Sequence, residues 1–444
     1  MVNKLSGSDL TAQHDYVEQL KEISGDDRFP LVATEAFVRG MRDSGYKSTA
    51  TSIDEFVDNS HQSDASRIDI FTIEGKSTGK RGVGKPITDI FIIDNGHGME
   101  PDMMRAAIRW GGTHRENDRR GLGRYGFGLP SAAVSMTERY TIISKLEGME
   151  WNGVTIDLKA IAEGHLTQDN GVVVSPLAER CELPEVVSNY LKETGTDLGY
   201  GTIVHIEHPD RLTTGFKRYS SLEQKLMEHL GLIYGGSLRS VDIYVNAKKV
   251  EAIDPLFTTP GCRFYDVGNG CIAEGMPALE FKVKGEDGQE GNVRLRFSVS
   301  APRFQKGVDG TGNHKGRLNV MTENNAFLLV SRAGRQIDLV KSVPDTLKIQ
   351  KRVLVIYDRN WSVELDFDPA LDELFGITVN KQQVTIQDRM WDILQNQGVP
   401  AMIDSLVKRS NQLRAEEKDK TGQDVEDEGP RESEVIMAEA EKFK

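Results

Sequence analysis

Glu55 and Asn59 stand four residues apart in the run Ile53-Asp54-Glu55-Phe56-Val57-Asp58-Asn59-Ser60. On a helix that spacing puts both side chains on one face, with Asp58 beside them. A carboxylate so placed can orient and deprotonate a water, and a carboxamide oxygen suits a hard cation such as magnesium. Further along, Asp94-Asn95-Gly96-His97-Gly98-Met99 follows the apolar run Ile90-Phe91-Ile92-Ile93. Then comes Gly121-Leu122-Gly123-Arg124-Tyr125-Gly126-Phe127-Gly128-Leu129-Pro130-Ser131-Ala132. Such a loop can aim backbone N–H groups at phosphates ahead of a helix N-terminus. Each segment alone says little. Asp-Asn-Gly is first of all a good turn. The Gly-x-Gly-x-x-Gly does not open a βαβ unit as a dinucleotide fingerprint requires. A helix with Ile53, Phe56 and Val57 inward could equally show Glu55 and Asp58 to solvent. Order and spacing together point to a nucleotide site.

The elements that must hold these residues follow from periodicity. Residues 34–46 and 50–63 read as helices, and 66–73 and 87–93 as neighbouring strands joined by a Gly/Lys hairpin loop at 74–82. A helix continues from Pro130 to Ser135, strands follow at 139–145, 154–157 and 202–207, and a helix spans 221–232. This pattern predicts an α+β sandwich, a mixed sheet covered on one face by helices. From about Val241 the texture turns to short strands at 241–245, 281–284, 293–299 and 327–331. Arg332-Ala333-Gly334-Arg335 then reads as a turn between strands, and a last helix as 389–412.

The first three segments resemble the N, G1 and G2 boxes of the GHKL ATPases, the superfamily of gyrase, the ninety-kilodalton heat-shock chaperones, histidine kinases and MutL. Gly201-Thr202-Ile203-Val204-His205-Ile206 occupies the place of its G3 element. The resemblance implies a Bergerat-type ATP-binding domain over 31–238, an S5-like transducer domain over 239–395, and a charged helical or disordered tail over 396–444. An arm over 1–30 would precede them, crossing to a partner protomer or serving only as a leader. Glu55 becomes the general base, and Asn59 the magnesium ligand. Asp94 accepts from the adenine amino group, Gly96 and Gly98 let the backbone pass close to the base, and Met99 packs on its face. Gly121, Gly123, Arg124, Tyr125, Gly126, Phe127, Gly128 and Thr202 complete the ATP contacts. Residues 109–120 would form the lid, with Gly111 and Gly112 as hinges. A transducer lysine reaching the γ-phosphate falls on Lys381, with Lys341 and Lys351 as the other candidates. Many relatives carry an acidic residue where Gln62 stands here, which touches helix-end packing more than chemistry. The domain plan is closest to MORC-like ATPases. It implies a homodimer formed on ATP and hydrolysis of that ATP, with DNA as the client by analogy and a protein partner on the tail. The other reading is a nucleotide-gated interaction module with little turnover.

The net charge of −13 argues against a uniformly basic nucleic-acid binder. Residues 411–444, with eleven acidic and six basic side chains, carry −5 of it. Three scattered cysteines, Cys181, Cys262 and Cys271, suggest a reducing compartment and give no metal framework. No apolar run is long enough for a spanning helix, and the N-terminus lacks an apolar signal region. A cytoplasmic protein without a membrane role is the expectation.

Overall fold

The computed structural model describes residues 40, 42–43, 46, 48–76, 85–111, 127–168, 173–265, 273–285, 288–305, 313–351, 353–377 and 384–421. They divide into two compact units. The first runs up to Lys225 and takes back Ile243–Lys248; the second holds Leu226–Asp242 and the residues from Lys249 onward.

In the first unit α1 (Thr49–Gln62) leads into β1 (Arg67–Glu74) and β2 (Ile87–Asp94), followed by the short α2 (Pro101–Ala107). Next come α3 (Gly128–Met136), β3 (Arg139–Lys145), β4 (Asn152–Asp157), α4 (Leu158–Ala162) and β5 (Glu179–Arg180). α5 (Glu185–Thr194) and β6 (Gly201–Glu207) follow, then α6 (Tyr219–Ile233), whose residues from Leu226 belong to the second unit, and β7 (Asp242–Val245) and β8 (Lys248–Lys249) at the division between the two. The strands form one sheet in the order β5-β4-β3-β6-β2-β1-β7-β8. The five pairings from β5 through β1 are antiparallel.

Strand alternation splits this sheet into two apolar faces. Ile92, Val204 and Ile142 lie abreast on one, and Ile93, Ile203 and Ile143 on the other. The second face is not bare, as the expectation of helices on one side had it. Val187, Tyr190 and Leu191 of α5 pack there with Phe71, Phe91, Ile93, Ile143 and Ile203. Phe91 stacks on Phe71 at 4.8 Å and Phe71 on Tyr190 at 4.2 Å. Helical spacing of Val187, Tyr190 and Leu191 turns one face of α5 to the sheet, and Gly195, at φ +62°, caps its end.

The second unit is built on β9 (Glu274–Lys284), β10 (Glu290–Val299), β11 (Leu328–Arg332), β12 (Arg335–Val340) and β13 (Trp361–Phe367). α7 (His314–Glu323) precedes β11, and α8 (Asp388–Asn396) and α9 (Val399–Thr421) follow the sheet. The strand order is β12-β11-β13-β10-β9, parallel only between β11 and β13. Ala333 and Gly334, both left-handed at φ +51° and +79°, make the tight hairpin turn the sequence suggested. Val293, Leu295, Phe297, Val363, Leu365 and Phe367 line one sheet face against Met390, Leu394, Ile403 and Leu406 of the last two helices. Each such side chain contributes roughly 1.5–3 kcal/mol by leaving water. The single helix expected over 389–412 is therefore two, broken at Gly398 (φ +82°), and its apolar stripe is core rather than tail.

Candidate active site

Ser48 starts α1. Its Oγ accepts from Thr51 N at 3.2 Å, and Thr51 Oγ1 accepts from Ser48 N at 3.1 Å, a capping box that sets the helix phase. Asp54, Glu55 and Asp58 are only 4%, 8% and 1% exposed, which removes the reading of a solvated face. Asn59 is half-buried, and no described residue engages its carboxamide.

Glu55 lies against the first residue of α3. A Cβ added to Gly128 would come within 1.8 Å of Glu55 Oε1. The Tyr46 hydroxyl sits 3.4 Å from both Glu55 Oε2 and Gly128 O. Ser52 Oγ and Ser135 Oγ, 2.9 Å apart, tie α1 to α3 further along. The glycine of the last G2 position is thus required by the carboxylate of the N box. Gly128→Ala is expected to displace that carboxylate and lower ATP turnover at least about tenfold, since a misplacement of about 1 Å can cost about 10²-fold. Phosphate release measured beside nucleotide affinity checks this; wild-type turnover would dissociate Glu55 from the chemistry.

Asp94 ends β2. Opposite it stand Thr202 on β6 and, beyond that, Ser144 on β3, so three strand ends present one polar row. Asp94 Oδ1 accepts from Gly96 N at 2.9 Å and Ser63 Oγ at 3.4 Å, while Oδ2 accepts from Ser60 Oγ at 3.0 Å. Each serine hydroxyl has a single proton and also faces a backbone oxygen, Ser60 Oγ that of Phe56 at 3.0 Å and Ser63 Oγ that of Ser60 at 2.9 Å, so Oδ2 keeps acceptor capacity. Burial pushes the Asp94 carboxyl above its ordinary value, against the hydrogen bonds from Gly96, Ser60 and Ser63. Ser144 Oγ accepts from Met99 N at 2.9 Å, donates to Gly201 O at 2.9 Å, and lies 3.0 Å from Thr202 Oγ1. The loop carrying Met99 is therefore pinned to the strand ends.

The glycines of this loop answer first to the protein itself. A Cβ on Gly96 would meet Ser63 Oγ at 1.9 Å, and one on Gly98, at φ +75°, would meet Lys145 O at 2.1 Å. Close packing of loop on helix and strand excludes a side chain there before any ligand is considered.

Phe127 packs its ring on Gly111, where an added Cβ would approach to 3.1 Å. Gly121, Gly123, Arg124, Tyr125, Gly126 and Lys381 lie outside the described residues, as do Gly112 and the rest of the lid as far as Arg120. Of the other lysine candidates, Lys351 is engaged by Asp358 Oδ2 at 2.9 Å, and Lys341 lines a surface cleft with Trp391. Sequence reasoning missed Ser60, Ser63, Ser144 and Tyr46. The serines carried a signal: Ser60 and Ser63 share a helix face, and Ser144 breaks the apolar alternation Tyr140, Ile142 at the end of β3.

A magnesium ion takes hard oxygen donors and usually few of them from protein when phosphates supply the rest. Asn59 fits that sparse role. Among the described residues no cluster of three His, Cys, Asp or Glu side chains is arranged for a metal. No described helix is long and apolar enough to cross a membrane, and Cys181 and Cys262 are free thiols.

No curated protein matches the chain. Residues 46–194, which hold α1, the Asp94 loop and the start of α3, match the model of the histidine kinase-, DNA gyrase B-, and HSP90-like ATPase family.

Proposed function

We propose that the chain is a magnesium-dependent ATPase whose ATP-bound heads pair and whose hydrolysis resets the pair, a MORC-like gate or clamp acting on DNA. The observation that carries this reading is that α1 serves both ends of one site. Ser60 holds Asp94 with an acceptor ready for a purine amino group, and Glu55 faces the N-terminus of α3. The two residues are five apart, about 7.5 Å along the helix axis.

Phosphoryl transfer asks mainly for positioning and charge neutralisation. Glu55 orients and deprotonates the attacking water, and the N-terminus of α3 with its glycine loop favours phosphate. Asn59 would hold magnesium, which when bound neutralises charge on the phosphates. Lys381 is the proposed transducer contact to the γ-phosphate, linking phosphate state to the geometry of the second half of the chain. DNA as the client rests on resemblance, and the net charge of −13 favours enclosure over a basic grip. The tail beyond α9 is the proposed contact for a protein partner.

Light scattering on wild type and Glu55→Gln, each with magnesium and ATP or a non-hydrolysable analogue, tests the reading. The expected result is a nucleotide-dependent shift from monomer to dimer mass that persists in Glu55→Gln. If mass ignores nucleotide while ATP still binds, the gate is abandoned in favour of a signalling or scaffold ATPase.

A further inference from the structure

The sheet of the second unit has one apolar face and one charged face. Arg296 lies opposite Glu364 and Arg294 opposite Asp366, while Ser331 stands beside Asp366 and across from Gln336. Over this charged face lies a cavity of about 260 Å³, closed from the other side by residues that include Gly235, Asp254 and Thr259. Arg296 bridges the layers, donating to Asp254 Oδ1 at 2.9 Å and Glu364 Oε2 at 2.6 Å. Arg294 pairs with Glu280 at 2.9 Å and is 55% exposed at the edge of the cavity. Arg239 and Arg294 also line the cavity but are exposed, so away from solvent the lining sets three carboxylates, Asp254, Glu364 and Asp366, against the one guanidinium of Arg296.

That balance is short of positive charge. Against its burial, Asp254 is held below the ordinary carboxylate value by Arg296, whereas burial raises both Glu364 and Asp366. Asp366 Oδ1 accepts from Gly334 N at 2.9 Å and the Phe367 N–H also approaches the carboxyl, which still leaves acceptor capacity on its second oxygen. Gln336, 7% exposed, also lines the cavity. Its Nε2 donates to Asn324 Oδ1 at 2.9 Å, and Asn324 Nδ2 donates to Val320 O at 2.9 Å, so the orientation of both amides is determined. Gln336 Oε1 is then a buried acceptor with no hydrogen-bond partner among the described residues. A buried acceptor left unpaired is costly, and a bound N–H donor removes the cost.

We propose that this cavity binds a small organic cation carrying a guanidinium or ammonium group. Its N–H groups donate to the second oxygen of Asp366 and to Gln336 Oε1, supplying the charge the interior lacks. The described acidic side chains are not arranged to hold a metal ion, which favours a directional N–H donor. The volume lies below that of pockets for drug-sized ligands, roughly 300–1,000 Å³, so the ligand is the size of a free diamine or amino acid.

Calorimetric titration of the full chain with agmatine, against sodium chloride at matched ionic strength, tests this. One saturable site is expected, weakened at least about tenfold by Asp366→Asn and several-fold by Gln336→Met, with far-ultraviolet circular dichroism unchanged. Should Asp366→Asn fail to fold, Gln336→Met decides. Absence of saturable binding, equal affinity in the folded variants, or binding of inorganic phosphate in place of agmatine, lost in Arg239→Ala, would each overturn the proposal. Binding of an ATP analogue, followed in parallel, separates these outcomes from failure of the ATPase reading.

Discussion

Glu55→Gln is expected to lower ATP turnover by about 10²–10⁴-fold, the range a positioned general base supplies, with nucleotide binding retained. The substitution keeps the volume that Gly128 has made room for and removes only the basicity. Glu55 is 8% exposed, and its carboxylate lies against the residue that opens α3. A group held there contributes to the transition state and little to ground-state binding, so kcat and kcat/KM should fall together. Phosphate release and fluorescent-nucleotide binding on the same preparations check this. A variant that hydrolyses at the wild-type rate would remove Glu55 from the mechanism, and one that loses binding would make it a structural residue.

Asp94→Asn is expected to weaken nucleotide binding about 10–150-fold, the range for loss of a hydrogen bond to a charged group. The remaining acceptor on Oδ2 is the one a purine amino group would use, and an amide there offers a donor or a weaker acceptor. The pH dependence follows from the same burial. The folded carboxyl sits above its ordinary value of 3.8, so between 3.8 and that raised value the native chain binds more protons than the unfolded one. Stability contributed by the proton is complete below this window and is lost as pH rises through it. Affinity runs the opposite way, because the amino group needs the charged acceptor: binding is strong above the window and declines as pH falls through it. Nucleotide titrations across mildly acidic pH should show that decline in wild type and not in Asp94→Asn. An identical acid limb in both chains would assign it to another group.

The placement of Glu55 and Asn59 on α1 was legible because its signal is local. Four-residue spacing puts Glu55 and Asn59 together on any helix, and Ser48 with Thr51 starts that helix at the right residue. The strands β2, β3 and β6 were equally plain, since each alternates or runs apolar between polar ends. Less legible was α5, a short helix whose three apolar positions gain meaning only against the aromatic face of the sheet. The helix after Gln387 was read as one piece with a solvated end because its charges dominate. Its stripe at Val399, Ile403, Leu406 and Leu413 is buried all the same.

What the sequence determined by itself is the kind of site: a helix bearing a carboxylate and a carboxamide, an acidic turn after a buried strand, and a glycine loop entering a helix. Those are properties of short segments, set by spacing and backbone preference. Tertiary structure alone decided why the glycines are glycines. Gly96 is packed on Ser63, Gly98 on Lys145 and Gly128 on Glu55, close approaches between segments distant in the chain. It also decided which groups meet Asp94, because Ser60 comes from α1, Ser63 from its C-cap and the Gly96 N–H from the loop that follows the strand. The charged face of the second sheet belongs to the same class. Arg296, Glu364, Asp366 and Gln336 look like ordinary surface residues until strand register sets them abreast over a cavity, where burial rather than identity makes them sensitive to one another.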